Sequence, residues 1–199
     1  MKILLIIVAV VAIFIVLFQT YLTMAANKSE EQPYKVIRTE KDFEIRFYPS
    51  VTMAMITSSA KSYKELGNSG FRKLANYIFG GNDSKKQIAM TSPVHMDVND
   101  TVSSMSFVMP SEFSKDNLPK PNDANVVIKT TADEYVAAIK FGGFASDSDI
   151  KTHSAKLENA LKAASISYYG SFRYLGYNPP YQWFGRRNEI IISVNWNLK

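Results

Sequence analysis

The sequence predicts an α+β domain, a mostly antiparallel curved sheet or open barrel covered by two helices, behind an N-terminal transmembrane helix. Three observations carry this prediction. Short segments such as FEIRFY and EYVAAIKF alternate with the two-residue period of strands. Two segments, opening at Ser62 and at Ser146, have the 3.6-residue period of amphipathic helices. Ahead of both lies an apolar run too long for the core of a small domain.

That run, ILLIIVAVVAIFIVLF, spans Ile3 to Phe18, and no charge follows before Lys28. A helix needs about 20 such residues to cross ~30 Å of hydrocarbon. Lys2 on the short side fits a cytoplasmic N-terminus, with everything after the span outside. The small residues near Ala25 and Ala26 offer the rival reading, a cleaved signal peptide. The division expected is an anchor or signal over 1–26, a polar tether over 27–33 (NKSEEQP) and a domain over 34–199. The domain is expected to be periplasmic or extracellular, membrane-anchored if the segment stays and secreted if it is removed. Lys2 and Lys28 cancel Glu30 and Glu31, so the formal net charge of +5 belongs to the domain. Its basic residues are scattered, which argues against nucleic acid and suits a small anionic ligand or a membrane surface.

Within the domain, YKVIRT, FEIRFY and VTMAMIT read as strands, with Pro49-Ser50 as a turn. Ser62 and Glu65 form a capping-box pattern that opens the first helix. Its expected apolar face is Tyr63, Leu66, Phe71, Leu74 and Ile78, and Gly80-Gly81 ends it. Gly67 and Gly70 inside it each cost about 1 kcal/mol relative to alanine, which points to a close approach by another element or a ligand. Strands are expected over Ile88–Val98 and Met105–Met109, then a proline-rich connection. The pattern recurs with NVVIKT, EYVAAIKF, a helix capped by Ser146 and Asp149, and the strands SFRYLGY and NEIIISVNW. Each half thus reads strand–helix–strand–strand after one extra strand, and the two are expected to be pseudo-symmetric repeats.

Chemistry is sparse. Cysteine is absent and there are two histidines, so thiolate sites are excluded and a nucleophilic triad has little to draw on. No glycine-rich phosphate loop follows a strand, and no His, Asp and Glu set has zinc or calcium spacing. An enzyme is not expected, a small-molecule hydrolase being the remaining alternative. In Ile88–Val98, alternation puts Met90 and Met96 on one face and His95 on the other, so IAMTSPVHM reads as a core strand with a rim histidine rather than a ligand box. His153 falls near the apolar stripe of the second helix and reads as structural. NPPYQWFGRRNE combines two stiffening prolines, three rings and two guanidinium groups, which suits a planar dianionic ligand. Its other reading is that Trp183 or Phe184 caps the barrel while Arg187 pairs with Glu189 or another carboxylate.

Four segments occur in order: GFRKLANYIFGGN, IAMTSPV, FGGF and GYNPPYQWFGRRNEI. With these, residues Tyr34 to Leu198 resemble the SOUL haem-binding protein family. The resemblance implies a distorted antiparallel β-barrel of two repeats flanked by two helices. It implies a haem or other tetrapyrrole ligand, bound non-covalently between the first helix and the loop before the last strand. On this chain those residues are Asn68, Phe71, Arg72, Ala75 and Asn76 facing Tyr181, Gln182, Trp183, Phe184 and Arg186. Some members carry histidine at the position of Phe47, and haem-binding members can present basic residues at those of Asn68 and Asn76. Arg72, Lys73, Arg186 and Arg187 are the cations left here for propionates. No catalytic residue, axial ligand or metal site is assigned. The alternative is an anchored structural or protein-interaction domain of the same fold that binds no haem.

Overall fold

The computed structural model describes residues 2–26, 29–99 and 101–196. The elements, in order, are α1 (Lys2–Ala26), β1 (Lys35–Thr39), β2 (Glu44–Tyr48), β3 (Thr52–Ser58), α2 (Tyr63–Ile78), β4 (Val94–Asp97), β5 (Ser103–Val108), β6 (Val127–Thr130), β7 (Glu134–Phe141), α3 (Asp147–Ala163), β8 (Tyr168–Gly176) and β9 (Asn188–Val194). Of the expected tether, Asn27 and Lys28 lie outside the described residues. Glu30 to Gln32 lie against the domain: Ser92 N donates to Glu30 O at 2.9 Å and Gln32 N to Ser92 O at 2.8 Å.

The strands form one antiparallel sheet in the order β1-β2-β7-β9-β8-β4-β5-β3-β6. The units β3-α2-β4-β5 and β7-α3-β8-β9 arrange their strands alike, with the last strand in the middle, and they meet where β4 pairs with β8. The strand preceding each unit crosses to the other: β2 pairs with β7, and β6 with β3. The sheet is open, which corrects the expected barrel. Closure would require its first and last strands to exchange hydrogen bonds. Here β1, irregular between Val36 and Arg38, pairs with β2, and the four-residue β6 pairs with β3, so they end the sheet at opposite margins.

Alternation gives the sheet two different faces. On one, α2 buries Leu66, Leu74, Tyr77 and Ile78 against Ile56, Met105 and Phe107. Beside it, α3 buries Ile150, Leu157 and Leu161 against Ile45, Ala137, Ile190 and Ile192. Burying each such side chain contributes roughly 1.5–3 kcal/mol, so this layer dominates the stability of the fold. The buried stripe of α2 runs through Gly70 rather than Phe71, which is exposed and rests edge-on against Phe107. A Cβ on Gly70 would meet Ile56 Cδ1 at 3.0 Å, so this glycine admits the sheet.

Both helix starts are capped where expected, with a difference. Ser146 and Asp149 form the complete reciprocal capping box. Ser62 Oγ accepts from Glu65 N at 3.1 Å, but Glu65 Oε2 accepts from Lys61 N instead of closing the box on Ser62. The strand expected over 88–98 shortens to β4. Pro93 has no N–H to give a ladder, and Ser92 spends its own backbone on Glu30 and Gln32.

Candidate ligand-binding site

The two helices leave a seam over the centre of the sheet, where Met96 of β4 and Tyr174 of β8 point toward the helix layer. Tyr174 packs edge-on to Tyr63 at 5.9 Å and lies 6.5 Å from Phe141, whose ring stacks on His153 at 4.0 Å. This row of rings spans from the start of α2 to α3. Burial pushes the Tyr174 phenol up, which keeps it a neutral donor to Asn188 Oδ1 at 2.7 Å. Asn188 Nδ2 in turn donates to Gly143 O at 2.8 Å, tying the end of the seam to the FGGF turn.

At that end, residues 177–187 join β8 to β9 as a loop held by its own polar groups. Arg186 Nη1 donates to Pro179 O and Gln182 O, both at 2.7 Å. The fully buried Gln182 donates to Phe184 O at 2.9 Å and accepts from Asn178 Nδ2 at 3.0 Å. Gly185, at φ 62, makes the turn that brings Arg186 back under the loop. The Arg186 guanidinium also lies 4.3 Å from the Phe144 ring, joining the FGGF turn to the same body. The outcome is a stiff platform that keeps Tyr181, Trp183 and Phe184 exposed.

The expected site residues fall into two sets, and no hydrogen bond or ring contact joins them among the described residues. On α2, Asn68, Phe71, Arg72 and Asn76 are exposed and Ala75 is half-buried. Asn76 O accepts from Gly81 N at 2.8 Å, which engages it in the turn after the helix. On the loop, Gln182 and Arg186 are internal braces, and Tyr181, Trp183 and Phe184 face outward instead of capping the sheet. Arg187 does pair with Glu189, at 2.9 Å, and it also reaches Glu31 at 3.1 Å. Of the four cations expected for propionates, Arg72 and Lys73 are the exposed pair.

The sheet face without helices holds what sequence reasoning missed. Arg46 and Glu189, both fully buried, form a two-pronged pair at 2.7 and 3.1 Å. Tyr177 donates to Glu189 at 2.8 Å, Arg46 donates to Glu44 at 2.8 Å, and Arg46 lies 4.2 Å from the Tyr34 ring. Burial opposes charge on Glu189, but hydrogen bonds and charge from Arg46, with Arg187 behind it, hold the carboxyl below its ordinary range. Farther along this face His95 is buried, not at the rim as expected, with Nε2 2.6 Å from Gln32 Oε1. Burial and the nearby Arg173 charge push it down to about 3, so it is a neutral imidazole. A cavity of about 380 Å³ lies beside it, lined by Met53, Met55, Asp97 and Arg173. The alternation of Glu44, Arg46 and Tyr48 in FEIRFY marked a shared face but not its partner, 143 residues away.

These features define a class: an α+β sheet domain with a helix-lined seam and a braced aromatic loop at its end. Within that class the chain belongs to the SOUL family, since residues 29–193 match the family described as SOUL heme-binding protein. It is 32% identical to Heme-binding protein 1 of Xenopus laevis over 171 residues, covering 80% of this chain and 89% of that protein. Heme-binding protein 1 of Mus musculus is 28% identical over 173 residues, with 81% and 90% covered. Heme-binding protein 2 of Homo sapiens is 28% identical over 156 residues, with 74% and 76% covered. Among solved structures, the C-terminal domain of EcmrR superposes with a TM-score of 0.60 at 9% identity, covering 82% of this chain and 99% of that one. A hydrolase from Listeria innocua gives 0.55 at 8% identity, covering 80% and 94%. At such identities these two matches show a shared fold alone.

Proposed function

We propose that this protein is a membrane-tethered binder of haem or a related tetrapyrrole. It holds the ligand in the groove between α2 and the 177–187 loop, without an evident axial ligand. The observation that carries the reading is membership of the SOUL family over residues 29–193, with relatives named as haem-binding proteins. The geometry supports it in detail. Phe71, Tyr181, Trp183 and Phe184 offer exposed ring area, and Arg72 and Lys73 offer charge for propionates. Gln182 and Arg186 keep the loop rings in place. His95 lies on the opposite face and His153 is stacked on Phe141, so binding rests on ring burial and ion pairing. That suits a carrier that exchanges its ligand better than a catalyst.

The 25-residue helix α1, whose side chains over residues 2–18 are exposed, is proposed as an uncleaved anchor with the domain outside the cytoplasm. The shared strand order of the two units supports reading the domain as an internal repeat.

Haem titration of the full chain in phospholipid nanodiscs, against empty nanodiscs, tests the reading. A saturable Soret shift at low micromolar haem is expected, weakened in Trp183→Ala with Arg186→Ala. An affinity unchanged in that variant removes the groove, and absence of a saturable shift removes haem. A second reading, a protein-interaction domain without haem, is favoured by the commitment of Arg186 and Arg187 to protein partners. It expects no shift and a co-purifying protein.

A further inference from the structure

We propose that the loop between β8 and β9, together with Phe144, is the surface on which the domain rests against the lipid bilayer, at the boundary between headgroups and acyl chains. The inference rests on α1 being a membrane span and adds to it a fixed seat for the domain.

The first observation is a patch. Tyr181 (55% exposed), Trp183 (55%), Phe184 (67%) and Phe144 (59%) stand out on one braced body, joined through Arg186. These four large rings, held open to water by the loop's own hydrogen bonds, also present ring area to a partner that needs no shaped pocket. Tyrosine and tryptophan are the residues enriched at membrane–water interfaces, where an apolar body and a polar tip are both satisfied.

The second observation says what that partner is. Gln19 of α1 donates from Nε2 to Tyr181 O at 3.3 Å, and its Oε1 accepts from Trp183 N at 3.3 Å. It is 7% exposed, on a helix whose residues 2–18, 20 and 21 are all exposed. The loop backbone is therefore fixed beside residue 19 of the proposed span. The unbroken apolar run from Ile3 to Phe18 rises about 24 Å, and a full crossing takes about 20 residues. Gln19 then falls about one helical turn inside the end of the crossing, at the depth where interfacial rings settle. Tyr21, also exposed, lies on the same last turn. Since these rings also edge the proposed groove, its mouth opens at the membrane surface, and an amphiphilic planar ligand enters from the lipid.

The test uses the chain's two tryptophans, Trp183 and Trp196, in full-length protein reconstituted into phosphatidylcholine vesicles without haem. Wild type, Trp183→Phe and Trp196→Phe are compared in ordinary vesicles and in vesicles of lipid brominated near the headgroup end of its acyl chains. The expected result is co-flotation with vesicles and loss of about half of the Trp183 emission to bromine, as for an indole at the interface. This loss should be absent in Trp183→Phe, whose remaining Trp196 packs with the core under α3. Flotation with no bromine quenching, and full quenching of Trp183 by aqueous acrylamide, would overturn the seat and leave the anchor standing. Absence of flotation would overturn the anchor and the seat with it.

Discussion

Arg46 and Glu189 meet at 2.7 Å inside the sheet, both fully buried, and bring together strands from the two ends of the domain sequence. Breaking such a pair from one side leaves an unpaired buried charge, at a cost of about 3–5 kcal/mol. We expect Arg46→Met to lower the midpoint of urea unfolding strongly, and Arg46→Met with Glu189→Leu to recover much of the loss. The carboxyl of Glu189 titrates below its unfolded value, so its contribution is present above the ordinary carboxylate range and is lost as pH falls through the lowered value. Glu189→Gln should flatten the acid limb of thermal stability below about pH 4.5.

His95 acts in a different window. In the unfolded chain it protonates near pH 6.5, whereas in the fold it resists to about 3. Its protonation therefore favours the unfolded state, and stability falls from pH 6.5 toward 3 by about 1.4 kcal/mol per unit. His95→Gln should remove this slope. A Tm series at pH 7, 6, 5 and 4 reads the effect directly, and an unchanged slope in the variant would count against a buried neutral His95.

Gly67 and Gly70 separate by sign. A Cβ on Gly67 meets only Met96 Cε, at an ordinary 3.7 Å, so Gly67→Ala should gain most of about 1 kcal/mol of helix propensity. At Gly70 the new methyl meets Ile56 at 3.0 Å and Met105 at 3.4 Å inside the core. That crowding should cancel or reverse the gain. Chemical denaturation of the two variants distinguishes them.

Arg186→Ala removes the donors to Pro179 O and Gln182 O. Each of these part-buried carbonyls left without a partner costs up to about 1–3 kcal/mol, most of it locally. Amide exchange should speed up over residues 178–187 and remain unchanged in β7, with only a modest change in Tm.

What the sequence made legible was local. Ser62, Ser146 and Asp149 announce two helices, because a cap is read by backbone groups within one turn. Alternation correctly set Met96 and His95 on opposite faces. It overextended β4, because the missing N–H of Pro93 matters only once a neighbouring strand asks for it. It put His95 at a rim, because a polar side chain predicts water until a partner such as Gln32 is in place. The aromatic loop was visible as composition, but its bracing by Gln182 and Arg186 was not. The Arg46–Glu189 pair was hidden for the same reason, since the topology that makes it local is absent from the sequence.

The crossing of β2 and β6 has a bearing on how this protein comes apart. Each half of the chain lends a strand to the other, so neither can withdraw without stripping hydrogen bonds from both. Such mutual dependence removes the partly opened states that two independent halves would populate. It predicts one cooperative transition, in which the slowest-exchanging amides of β5 and β9 report a single shared opening energy.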